Sequence, residues 1–247
     1  MSDVDEGQRR APADAGRTAA IVPVGSRSLD VNVGAASASS ISGLATSTQQ
    51  VDAFRELRTR LLAFAAALGR PHFTTMVAPL TASSGGAFVA RNLAAAFTLE
   101  ESRIAILVDC NLRQPTQHQA FGVSEDEGGL FDYLDRRQPS MTLRATALPR
   151  LHLIPAGRPQ NTPREYFSTR TMREIIAALQ QTPCFVFLDA PPIKGSPDAR
   201  ILSDLVDLVV LVAGYGTDTV ESISEAAALF DRKKFAGVVF NESLGGS

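Results

Sequence analysis

Phe73-Thr74-Thr75-Met76-Val77-Ala78 runs straight into Pro79-Leu80-Thr81-Ala82-Ser83-Ser84-Gly85-Gly86-Ala87-Phe88, and Ala87 to Leu99 reads as a helix. A strand, a loop of small residues and a helix, in that order, form the setting of a phosphate-binding loop. There, backbone N–H groups and the helix dipole cradle an anion. A working loop also needs a lysine for the outer phosphates and a Ser or Thr hydroxyl for magnesium. Taken alone, a small-residue turn that holds no ligand is the simpler reading.

Apolar strands and helices alternate along the rest of the chain. Strands are expected at Arg103 to Asp109, Leu151 to Pro155, Cys184 to Leu188, Leu208 to Ala213 and Gly237 to Asn241. Helices are expected at Thr169 to Gln181, Asp198 to Leu205 and Val220 to Phe230. Near-continuous apolar strands separated by helices predict an α/β fold, a parallel sheet with helices on both faces. Ligands bind such sheets beyond the carboxyl ends of the strands, here residues 79–88, 109–115 and 189–198.

Two of those strand ends deliver a carboxylate. Ile106-Leu107-Val108 leads to Asp109, which reads either as a ligand-edge aspartate or as the cap of a turn. Phe185-Val186-Phe187-Leu188 leads to Asp189, followed by Ala190-Pro191-Pro192. A carboxylate at the end of a buried strand, fixed by a proline turn, is the form of a Walker-B aspartate facing magnesium.

Before the first strand, Phe54, Leu57, Leu61, Phe64 and Leu68 recur at helical spacing, with Arg55, Arg58 and Arg60 mostly off that stripe. Gly69-Arg70-Pro71 stops the helix. Residues 1–48 are rich in Ala, Ser, Gly and Asp and are expected to be disordered, leaving 49–247 as one domain. Ala19 to Val24 is a short apolar patch within that segment.

Composition excludes several classes. A net charge of −2 gives no footprint for nucleic acid. Apolar runs such as Leu205 to Ala213 are too short to span a bilayer, and no basic-then-apolar leader opens the sequence, so a cytoplasmic location is expected. Cys110 and Cys184 lie in apolar runs and read as buried thiols, and the three histidines do not cluster at ligand spacing.

Together these segments resemble the bacterial tyrosine kinases (BY-kinases) of capsule and exopolysaccharide synthesis, relatives of the partitioning and division-site ATPases with deviant P-loops. Val108-Asp109-Cys110-Asn111-Leu112-Arg113-Gln114-Pro115 is similar to that family's second Walker motif, and Asp189 to Pro192 to its Asp-Thr-Pro-Pro. Asp198-Ala199 and the segment Leu153 to Pro163 also match in order. Asp52-Ala53-Phe54-Arg55-Glu56-Leu57-Arg58 resembles its Glu-x-x-Arg-x-x-Arg oligomerisation helix.

The resemblance implies a P-loop NTPase-like fold, with Ser83, Ser84, Gly85, Gly86, Ala87 and Phe88 at the nucleotide-binding loop. It implies Asp109 and Asp189 at the catalytic Walker positions, Asp189 as the metal position, and Asp52, Arg55 and Arg58 at an interface. It also implies a membrane polysaccharide co-polymerase (chain-length determinant) as partner and a homo-oligomer.

The departures concern chemistry. Gly86 stands where the lysine belongs and Ala87 where the hydroxyl belongs; Asn111 replaces an Asp. Phe88 is expected to fill the phosphate site. The tyrosines, Tyr133, Tyr166 and Tyr215, are scattered instead of forming the family's C-terminal cluster. Two lost charge-assisted contacts at about 1.5–3 kcal/mol each would weaken nucleotide binding about a hundredfold or more. The expected function is a non-catalytic, regulatory or scaffolding protein of exopolysaccharide, capsule or holdfast-type adhesin export that needs no cofactor. The alternatives are an ATP- and magnesium-dependent tyrosine autokinase with a weakened loop and, less favoured, a positioning ATPase.

Overall fold

The computed structural model describes residues 21–24, 27–29, 31–34, 41–159 and 165–241. Its strands are β1 (Ile21–Val24), β2 (Arg27–Leu29), β3 (Val31–Gly34), β4 (Thr74–Pro79), β5 (Ala105–Asp109), β6 (Met141–Ala145), β7 (Leu151–Ile154), β8 (Phe185–Asp189), β9 (Leu208–Gly214) and β10 (Phe235–Asn241). Its α-helices are α1 (Thr48–Ala67), α2 (Gly86–Phe97), α3 (Gln117–Phe121), α4 (Leu130–Leu134), α5 (Arg170–Gln180), α6 (Asp198–Leu205) and α7 (Val220–Ala227).

The main sheet has the order β10-β9-β4-β8-β5-β7-β6-β3. All neighbours run parallel except β6 against β7. The central strands β4, β5, β8 and β9 are buried along their whole length, as a sheet covered on both faces requires. Alternation divides each strand between two cores. Met76, Val108, Val186 and Leu188 face α4, α5 and α6, while Val77, Leu107, Phe185 and Phe187 face α1 and α2.

Packing at one end of α2 fixes what its other end does. Phe97 meets Phe185 at 4.8 Å and Phe187 at 4.9 Å between ring centroids, tilted contacts worth about 0.5–1.5 kcal/mol each beyond their area. The helix C-terminus is capped by arginines: Arg58 Nη1 donates to the Ala96 carbonyl and Arg150 Nη2 to that of Thr98. The first turn of α2 is thereby held rigidly at the carboxyl edge of β4, where the site lies.

The segment expected to be disordered behaves differently where it is described. Strands β1 and β2 pair antiparallel, and β3 pairs parallel with β6 at the sheet edge. Residues 41–47 lie on the body of the domain. Ser42 N–H donates to the Ala120 carbonyl and Ala45 N–H to Asn92 Oδ1. The folded unit therefore begins before residue 49. The Ala19–Val24 patch lies only partly within the described residues. Residues 160–164, and so the end of the Leu153–Pro163 segment, lie outside them, as do 242–247.

Candidate functional site

The turn from β4 into α2 is short and tightly held. Leu80 N–H continues the β4 register onto the Val212 carbonyl at 2.8 Å. Ala82–Ser84 then makes one 3-10 turn, Gly85 takes φ +82°, and α2 starts at Gly86. Only glycine adopts that left-handed value without strain.

The side chains around the turn fill it from within the chain. A Cβ on Gly86 would lie 2.7 Å from Cγ and Cδ of the Pro79 ring, far inside the 3.5–4.0 Å of carbon contact. Ser84, fully buried, donates from Oγ to Asp218 Oδ2 at 2.7 Å, and the same oxygen accepts the Gly214 N–H at 2.7 Å. A carboxylate thus stands against the side chain of Ser84 in the loop. Asn241 Nδ2 donates to the Ser84 carbonyl at 3.3 Å and ties the loop to the end of β10. Ser83 is exposed and Ala87 half-buried. Phe88 does not fill the phosphate site. Its ring lies edge-on to Phe54 of α1 at 5.9 Å, which helical geometry dictates for a residue one step further round α2.

Asp109 and Asp189 end adjacent strands in direct register and are both buried. Asp109 holds the turn after β5. Its Oδ1 accepts the Asn111 N–H at 3.1 Å, and its Oδ2 accepts those of Thr116 at 3.2 Å and Gln117 at 3.1 Å. The turn-capping reading accounts for all of these contacts. Asp189 Oδ2 accepts from Gln117 Nε2 at 2.7 Å. Burial, and then the neighbouring Asp189, pushes the Asp109 carboxyl up to about 8, against the pull of its three backbone donors. Burial pushes Asp189 up to about 6, opposed by the Gln117 hydrogen bond and the charge of Arg91.

Arg91 and Gln117 join the aspartates at the candidate site, and the sequence did not single them out. Arg91 projects from α2 with 8% of its surface exposed and donates from Nη1 to Gln117 Oε1 at 3.0 Å. Its Nε donates to the Gly43 carbonyl at 3.4 Å. Burial lowers the guanidinium's pKa, while the charges of Asp189 and Asp109 raise it. Gln117 is fully buried and uses both amide ends: it accepts from Arg91 and donates to Asp189 and to the Ala87 carbonyl at 3.0 Å. The signal in the sequence was the pair Arg91-Asn92 inside an apolar helix, since a charge on a buried face must be paired. The partner, 26 residues away, was not legible there.

Two of the motif segments come near each other. Arg113 approaches Asp198 at 3.8 Å. Among groups of His, Cys, Asp and Glu in the described residues, none has the arrangement of a metal site.

The helix expected to form an interface is only partly free. Asp52 and Arg55 pair with each other at 3.0 Å on the exposed face of α1. Arg58 is turned inward onto the end of α2, with its side chain 13% exposed, and it also approaches Glu100 at 3.6 Å. Its spacing from Arg55 matches the motif, but its guanidinium is committed to the domain's own packing.

No family model matches this chain. By sequence it is similar to the tyrosine-protein kinase wzc of Salmonella typhi, at 29% identity over 194 residues, 77% of this chain and 26% of that protein. It is also similar to the tyrosine-protein kinase YwqD of Bacillus subtilis, at 27% identity over 190 residues, 76% of this chain and 79% of that protein. The chain thus spans about a quarter of the length of the longer relatives and most of the shorter one. By structure it resembles the kinase domain of the Escherichia coli tyrosine kinase ETK, with a TM-score of 0.70 at 23% identity, covering 80% of this chain and 78% of that one. The cell division ATPase MinD of Pyrococcus furiosus follows at a TM-score of 0.58 and 17% identity, covering 70% and 73%. The fold is that of BY-kinase domains and MinD-type P-loop ATPases.

Proposed function

We propose that this chain, a homologue of the bacterial tyrosine-protein kinases, serves exopolysaccharide, capsule or holdfast-type adhesin export as a regulatory or scaffolding protein without phosphoryl transfer. It acts on the cytoplasmic side of the membrane, recruited by a chain-length-determining co-polymerase, and assembles with copies of itself. The observation that carries the reading is the loop at residues 79–88. Phosphoryl transfer is almost entirely positioning and charge neutralisation. Position 86 offers no cation, position 87 no hydroxyl, and the ring of Pro79 stands where any side chain at 86 would begin. Asp109 has both oxygens engaged by backbone donors, and Asp218 adds negative charge at the loop. These residues do not fit a magnesium–nucleotide pair.

Asp52 and Arg55, exposed on α1, are the groups left to meet a partner. Among the described residues, no helix is long and apolar enough to cross a membrane.

The test pairs two measurements on the purified protein with the co-polymerase's cytoplasmic portion. Capture of the protein by that portion, weakened by Arg55→Glu, with no phosphotyrosine formed from magnesium-ATP, is the expected result. Phosphotyrosine that appears on the wild type and is lost in Asp189→Ala would establish the autokinase reading instead.

A further inference from the structure

Two carboxylates placed side by side at the end of buried strands are costly once ionised unless a positive charge balances them. In a Walker-type site that charge arrives with the ligand, as magnesium. Here a guanidinium of the chain's own is present. Arg91 reaches the pair from α2 through Gln117, whose amide bridges Arg91 Nη1 to Asp189 Oδ2 by contacts of 3.0 and 2.7 Å. The same Gln117 gives its backbone N–H to Asp109. Every link of this chain of contacts is buried.

The cluster is also sealed from outside. The Gly43 carbonyl accepts from Arg91 Nε and from Asn92 Nδ2 at 3.1 Å, and Asn92 Oδ1 takes the Ala45 N–H at 2.6 Å. A side chain at 43 would run into the Arg91 guanidinium, with its Cβ 2.6 Å from Nη2. Residues 43–45 therefore lie as a strap over the arginine and hold it inward.

We infer that Arg91, positioned by Gln117 and the strap at 43–45, is a built-in counter-cation that replaces ligand-borne charge at the aspartate pair and lets the domain stay folded without metal or nucleotide. This deepens the non-catalytic reading and rests on it for its biological meaning, but its physical content is charge balance alone. Arg91 is a positioning and balancing residue, not a catalytic one.

A double-mutant cycle without nucleotide tests this separately from the function, at pH 8.5 in EDTA, by thermal denaturation. Arg91→Met keeps the length and removes the charge; it is expected to lower Tm by about 6–20 °C. Adding Asp189→Asn removes the carboxylate left unbalanced, and is expected to recover at least half of that loss. Arg91→Lys, which retains the charge, is expected to lose less than Arg91→Met. Losses that simply add in the double variant would overturn the inference, because a packing role predicts no compensation. If Arg91→Met yields only insoluble protein, the double variant is expected to return folded protein, and failure of both is equally decisive against it. A wild-type Tm already raised by several degrees on adding millimolar MgCl2 would also refute it, since the pair would then still be drawing its charge from solution.

Discussion

Replacing Gly86 by alanine adds one methyl group where the ring of Pro79 already sits. The new carbon would lie 2.7 Å from Cγ and Cδ and 2.8 Å from Cβ of that ring, about 1 Å short of comfortable contact at each. The ring is rigid, and the strand that carries it is held in register with Val212. Backbone must therefore move, and overpacking of this kind costs about 1–3 kcal/mol. Alanine regains up to about 1 kcal/mol of helix propensity over glycine, so a net loss of about 1–2 kcal/mol is expected. At about 2–4 °C per kcal/mol for a domain of this size, Tm should fall by about 2–8 °C, read by circular dichroism. Pro79→Gly in the same background removes all three crowding carbons, so Gly86→Ala should cost less there than it does beside the intact ring. A Gly86→Ala protein as stable as wild type would mean that the Pro79 ring is not packed on the loop, and the argument from loop geometry would fail.

Three further outcomes follow from the same contacts. Gly86→Lys with Ala87→Thr should leave nucleotide affinity unimproved, while adding Pro79→Gly should raise it at least about tenfold by calorimetry, since the ring then no longer blocks the lysine stem. Both buried aspartates are harder to ionise in the folded protein than the ordinary 3.8, at about 8 and about 6. The native state then holds more protons than the unfolded chain above about pH 4, so their contribution to stability falls as pH rises from there through about 8; denaturant titrations at pH 5.5 and pH 9 should show the lower stability at pH 9. Arg58→Met should cost about 1–2 kcal/mol in the same assay by uncapping α2, while Arg55→Ala changes stability by less than about 0.5 kcal/mol.

The sheet was readable because its central strands are apolar on both faces. Runs such as Val108 and its neighbours, or Phe185 to Leu188, have no other home than a covered parallel sheet. The strand β6 escaped notice for the opposite reason. Met141-Thr142-Leu143-Arg144-Ala145 is a short segment between β7 and the edge strand β3, with Arg144 partly exposed, and its antiparallel pairing with β7 is a tertiary fact. The helices α3 and α4 are five residues each, too short to express a period.

At the site, the aspartates were legible because strand ends carry ligands, and the deficits at 86 and 87 because motif spacing fixes what belongs there. What replaces the missing charge was not legible. Arg91 and Gln117 belong to no motif, and their meeting depends on α2 and α3 converging over the ends of β5 and β8. The inward turn of Arg58 was equally hidden, since a helical repeat of arginines gives their faces but not which neighbour each one finds.

The central claim is that the loop of residues 79–88 no longer grips a nucleotide. Isothermal titration of the purified protein with ATP and with ADP, each with magnesium, tests it most directly. The account predicts no saturable heat up to millimolar nucleotide. Magnesium-dependent binding at micromolar concentration, abolished by Asp189→Ala, would contradict it.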